Sequence, residues 1–196
     1  MTLHSPHPEF AGRQRLLDGI DAALQASDTQ GAVARIQHVL EQAINDPQIV
    51  LPACVHAPLH GHYARREIYR SPQHGYSIIA MTWGPGQGTP LHDHDGLWCV
   101  EGVWQGTLEI TPYRMLERDG ERYRFAPRDC LQGCKGSAGN LIPPDEFHTL
   151  RNSDAERIAI SVHVYQRVME RSHVFQPIDD GPRWYARECR ELGLDA

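Results

Sequence analysis

Two imidazoles stand at alternate positions in Gly86-Gln-Gly-Thr-Pro-Leu-His92-Asp-His94-Asp-Gly-Leu-Trp-Cys99. In an extended strand, residues i and i+2 share a face, so His92 and His94 would offer two nitrogen ligands to one point in space. Metal binding is the chemistry such a pair could do. The spacing alone says little: with 12 His in 196 residues, roughly one such pair arises by chance, and His60 and His62 form a second one.

The first pair belongs to a longer pattern. Gly86 is followed by five residues, His92-x-His94, four residues, Cys99, six residues and Gly106. A second segment, Pro143-Pro-Asp145-Glu-Phe-His148-Thr-Leu-Arg-Asn152, carries another His ahead of an Asn-closed turn. A third, Ser161-Val-His163-Val-Tyr165, places three polar groups on one strand face by alternation. That face would suit a plain apolar core poorly, because each buried group needs a partner.

The first two segments resemble the two motifs of the cupin superfamily, which implies a small β-barrel or jelly roll. The first motif usually has a Glu ligand where this chain has Cys99, and the second usually has a Gly where it has Asp145. Loss of the Glu leaves three neutral candidate ligands, His92, His94 and His148. The chain then resembles thiol dioxygenases of the cysteine dioxygenase type I family, which bind Fe(II) through three His. Ser161, His163 and Tyr165 match that family's Ser-x-His-x-Tyr strand. Cys99 stands where family members carry a Cys that can be joined to the Tyr by a thioether, here Tyr165. Tyr63-Ala-Arg65 resembles the Tyr-x-Arg of the cysteine-oxidising branch, where Arg forks onto the substrate carboxylate. The branch acting on 3-mercaptopropionate has Gln there.

The resemblance implies roles for these residues. Arg65 and Tyr63 would bind a small thiol bearing a carboxylate, with O2 as co-substrate. Guanidinium suits that bidentate role. His163 and Tyr165 would form a hydrogen-bond relay beside the iron, with Ser161 holding the far nitrogen of His163. A substrate thiolate would replace the charge of the missing Glu, and three facial imidazoles leave about three open positions on a divalent iron. A zinc or nickel cupin doing isomerisation or hydrolysis, a dioxygenase acting on 3-mercaptopropionate or mercaptosuccinate, and a non-enzymatic metal-binding cupin are the competing readings. Arg66 adjoins Arg65 and would face the other way in a regular strand, so a one-residue slip exchanges them. The plain alternative for Arg65 is a surface pairing with Glu67 or Asp46.

Elements must bring these residues together. Leu16, Leu17, Ile20, Ala23 and Leu24 form one helical stripe, and Val33, Ile36, Val39, Leu40 and Ile44 another. Ser27 to Gly31 is the break and N-cap between them. From about residue 62 the period changes. Tyr76–Trp83, Leu97–Val103, Gly106–Tyr113, Arg122–Ala126, Gly139–Ile142, His148–Asn152 and Arg157–Tyr165 read as short strands divided by turn residues. The expected fold is mainly β, a cupin barrel over residues 60–170, with N-terminal helices (1–47) packed outside. A tail over 171–196 would end in a short helix, all within one domain.

Composition narrows the classes. Net charge is −6 and no basic stripe exists, which argues against nucleic-acid binding. No long apolar run or signal peptide is visible, so no membrane partner is expected and the cytoplasm is the expected location. The five Cys, at 54, 99, 130, 134 and 189, do not form a disulfide framework. Cys130 and Cys134 could be half of a zinc site but read as loop thiols. His56, His60, His62 and His74 lie in a Pro/Gly-rich region without a matched motif, while His4, His7, His38 and His173 read as solvated. Trp83 and Trp98 either wall the pocket or serve as ordinary packing.

Overall fold

The computed structural model describes residues 7–178 and 183–196. Two helices open the chain, α1 (Arg13–Ala23) and α2 (Thr29–Asn45). Their buried residues, Leu16, Leu17, Ile20 and Ala23 on α1 and Val33, Ile36, Leu40 and Ile44 on α2, recur at helical spacing on one face of each. The Asp28 carboxylate accepts the Gly31 N–H at 2.7 Å and caps α2, within the break expected there. His4 lies outside the described residues.

Among the described residues, twelve strands follow. They are β1 (Ala64–Arg70), β2 (Ser77–Trp83), β3 (Leu91–His92), β4 (Cys99–Gln105), β5 (Thr107–Asp119), β6 (Arg122–Pro127), β7 (Leu131–Cys134), β8 (Ala138–Leu141), β9 (His148–Arg151), β10 (Ala159–Tyr165), β11 (Arg171–Pro177) and β12 (Trp184–Glu191). Neighbouring strands run antiparallel in two sheets. One sheet has the order β1-β2-β10-β4-β8 and the other β6-β12-β11-β3-β9-β5-β7, with β6 also pairing β5. The fold is mainly β, a cupin-type barrel, with the helices outside it.

Every residue of β2 and β10 is buried. Alternation explains why. Ile160, Val162 and Val164 of β10 join Ile78 and Ala80 of β2 and the helices in one core, while Ile79, Met81, Trp83 and Tyr165 face a second core inside the barrel. Gly102 of β4 lies beneath α2, and a Cβ there would meet Ile44 Cδ1 at 2.6 Å, so glycine lets the helix seat on the sheet. Gly106 turns the chain from β4 into β5 at φ 74°, a left-handed conformation that favours glycine.

The C-terminal region departs from the expected tail and short helix. β11 and β12 pair residue for residue, from Arg171 opposite Glu191 to Pro177 opposite Tyr185, and extend the barrel past residue 170. Arg, Glu and Leu around Cys189 favour a helix locally, but seven cross-strand pairs and the Tyr185 ring against Phe125 at 5.6 Å outweigh that preference. Cys130 and Cys134 are free and exposed. Among the described residues, no helix is long and apolar enough to cross a membrane.

Candidate metal centre and thiol pocket

Short elements converge on the histidines. His92 ends β3 and sits opposite His148, the first residue of β9. His94 follows on a turn through Asp95, whose φ of 52° is unusual for a residue other than glycine. The ring centroids stand 5.4 Å apart for His92 and His94, 4.5 Å for His92 and His148, and 5.0 Å for His94 and His148. One nitrogen from each ring lies within 4.8 Å of the others. His92 Nδ1 donates to the Pro90 carbonyl at 3.1 Å and His148 Nδ1 to the Glu146 carbonyl at 3.0 Å. A carbonyl only accepts, so these bonds fix the proton on Nδ1 and leave each Nε2 lone pair free for a metal.

Burial keeps the imidazoles neutral, which ligands must be. It pushes His92 down to about 3 and His148 down to about 4, and holds His94 well below the ordinary His range. His148 Nε2 and His94 Nδ1 are buried and make no hydrogen bond among the described residues. Buried nitrogens without partners are costly. A coordinated cation would satisfy them, so the residues fit a metal.

Around the triad lies a small pocket of about 20 Å³, lined also by Tyr63, Arg65, Trp83, Tyr165, Met169 and Leu192. Arg65 is 6% exposed and on the pocket side of β1. Its Nη1 donates to the Gly193 carbonyl at 2.8 Å, and its backbone N–H to Asp195 at 2.8 Å. Arg66 turns the other way, to Thr82 Oγ1 and the Ala196 carbonyl, which removes the ambiguity between the two. The surface pairings considered for Arg65 are taken by others: Glu67 pairs with His7 and Arg70, and Asp46 with Arg15. Tyr63 stacks on Trp83 with centroids 4.4 Å apart, and burial raises its hydroxyl above the usual range. Trp98, by contrast, packs in the core beneath the helices.

The strand β10 brings Ser161, His163 and Tyr165 into the barrel. Trp83 Nε1–H donates to Ser161 Oγ at 2.9 Å, and Ser161 lies 2.8 Å from His163 Nε2. Ser161 Oγ thus ties the Trp83 indole to the far nitrogen of His163 and fixes the orientation of that ring. The expected relay from His163 to Tyr165 takes another form. Their rings lie nearly parallel, centroids 5.9 Å apart. Nδ1 instead faces Glu101 at 3.4 Å and Cys99 Sγ at 3.9 Å. Cys99 sits directly opposite Tyr165 across β4 and β10. Burial, then the Glu101 charge, raises the Cys99 thiol. Burial, then Cys99, raises Tyr165, so both keep their protons.

Two carboxylates escaped the sequence reading. Glu101 is buried 3.9 Å from His148 Nε2, and burial raises it to about 7. Its signal was present, because an acid two residues after Cys99 shares that residue's face. Glu146 accepts the His94 backbone N–H at 2.9 Å and steadies the ligand turn. Two histidines expected to be solvated are paired: His173 with Asp93 at 2.9 Å and His7 with Glu67 at 2.8 Å. Asp93 also accepts the His173 backbone N–H, so the residue between the two ligands fastens β3 to β11.

The family description "Cysteine dioxygenase type I" matches residues 59–177. Cysteine dioxygenase type 1 of Homo sapiens is 20% identical over 143 residues, spanning 73% of this chain and 69% of the human protein. The Rattus norvegicus protein of the same name is 24% identical over 160 residues, spanning 75% of this chain and 78% of its own length. Among solved structures, a Klebsiella pneumoniae protein with a double-stranded β-helix domain is similar at a TM-score of 0.44. It is 17% identical and covers 59% of this chain and 82% of that one.

Proposed function

The chain belongs to the cysteine dioxygenase type I family, and from that premise we propose a non-haem Fe(II) enzyme that adds both atoms of O2 to a small carboxylate-bearing thiol, L-cysteine first, giving cysteine sulfinate. It is an oxidoreductase, a thiol dioxygenase. The observation that carries the substrate reading is one buried guanidinium, Arg65, in the same small pocket as three neutral imidazoles.

His92, His94 and His148 would hold the iron. Bound there, Fe(II) supplies the redox centre for oxygen chemistry and favours the thiolate form of a coordinating thiol. The protein groups orient the substrate. Arg65 has one nitrogen committed to Gly193, which fixes the guanidinium and leaves the rest of its fork for a carboxylate. Tyr63 and Tyr165 keep their protons at neutral pH and so act as donors beside the bound carboxylate and the reacting sulfur. Met169 and Leu192 wall the pocket with apolar groups and exclude water from the reacting sulfur. His163, Ser161 and Trp83 form the hydrogen-bonded support behind Tyr165.

Cysteine ranks above mercaptosuccinate because Arg66 faces away, so a second carboxylate finds no second cation from β1. The family resemblance also supports a thioether between Cys99 and Tyr165. The cytoplasm is the proposed location. Oxygen uptake and sulfinate formation with cysteine, 3-mercaptopropionate and mercaptosuccinate in turn test the reading. No sulfinate from cysteine overturns the substrate assignment. Zinc in the purified protein, with iron restoring no oxygen consumption, overturns the iron assignment.

A further inference from the structure

The barrel holds a second cavity that the thiol does not use. Between β4, β5, β7 and β8 lies about 180 Å³ of space, against about 20 Å³ beside the histidines. Val103, Leu108, Ile110 and Leu150 make its walls apolar. It reaches solvent beside Leu131, a large apolar side chain left 55% exposed. At its inner end stand Glu101 and His163, and Leu150 and His163 line the thiol pocket as well. One layer of side chains therefore divides the two spaces.

We infer that this cavity is the inlet and holding site for O2, which reaches the histidine centre past Leu150 and His163 while the thiol enters on the Arg65 side. The inference rests on the thiol dioxygenase reading above. Three observations favour O2 over other occupants. A thiol acid would lose hydration on entering apolar walls and would find no cation among the lining residues. A neutral diatomic loses little, and dry apolar cavities of about 150 Å³ take up xenon. Leu150 and His163 line both spaces, so O2 held in the cavity lies one layer of side chains from the histidine centre.

Two variants narrow the cavity without touching the ligands. Leu131→Trp acts at the exposed mouth. Gly133→Val acts within, where a Cβ already meets Ile110 Cδ1 at 3.0 Å and Val103 Cγ2 at 3.1 Å, both movable side-chain ends. Xenon-pressurised crystals of the iron-loaded protein should show xenon in the cavity. Each variant should raise KM for O2 about three- to tenfold while KM for cysteine and iron content stay unchanged. Leu131→Trp keeps the test open if Gly133→Val fails to fold. An empty cavity under xenon, or an unaltered KM for O2 in folded variants that still consume O2, overturns the inference and leaves the function intact. A small organic molecule retained there through purification overturns it too. If the wild-type protein consumes no O2 with any thiol, the function and the inlet fall together.

Discussion

In the proposed enzyme, Arg65 would carry the choice of substrate through a hydrogen bond made elsewhere. The Gly193 carbonyl takes one nitrogen, so the guanidinium is oriented before a ligand arrives. Arg65→Gln removes the charge and should lower kcat/KM for cysteine about 10- to 100-fold, the loss of roughly 1.5–3 kcal/mol expected for a hydrogen bond to a charged group. Steady-state oxygen uptake at constant iron content measures it. Cys99 and Tyr165 are cross-strand partners, and after many turnovers the intact mass should fall by about two hydrogens through oxidative linkage. Cys99→Ser should abolish the loss, and a wild-type mass equal to that of the sequence would refute the linkage. The histidines were legible because their spacing is local. Glu101 was legible in principle, from the parity of its position with Cys99. The pairing of His173 with Asp93 was not, because 80 residues separate them.

At the scale of elements, β10 could be read almost directly. Its apolar and polar residues alternate because one face meets helices and the other the barrel interior. The strand β12 could not be read, because its own residues favour a helix and only its pairing with β11 overrides them. Asp28→Ala removes the cap of α2 and should cost about 1 kcal/mol in urea unfolding, with kcat/KM unchanged. Asp154 serves the turn entering β10: its carboxylate accepts the Glu156 and Arg157 backbone N–H groups, which together with the Arg157 side chain hold its pKa below the usual value. A carboxyl with a lowered folded-state pKa stabilises above its unfolded value, about 3.9, and loses that contribution as pH falls. Asp154→Asn should therefore lower the urea midpoint at pH 7, with the two proteins converging as the pH falls below the lowered folded-state pKa. A gap that persists in acid would assign the effect to packing instead of charge.

For the whole molecule, the proposed metal centre would be a clasp between distant parts of the barrel. Its ligands come from β3, the turn after it and β9, while the pocket wall adds β1, β10 and Leu192 just beyond β12. A cation that binds only the folded chain stabilises it by mass action, about 2.7 kcal/mol at a hundredfold excess over Kd. Chelation should lower the thermal midpoint by about 5–10 °C for a chain of this size, and Fe(II) should restore it. An unchanged midpoint after complete removal would mean that the histidines contribute nothing to cohesion. The barrel class was readable from the strand spacing, but the closure of the second sheet through β11 and β12 was not.

The bond from Arg65 to Gly193 spans 128 positions, and the Arg65 backbone bond to Asp195 spans 130. On the ribosome, the three histidines and Arg65 are all made before these partners exist. A nascent chain could thus acquire its metal cradle while the carboxylate grip is still unset. Selectivity for the thiol acid would mature after the histidine cradle, when residues 193–195 dock against β1.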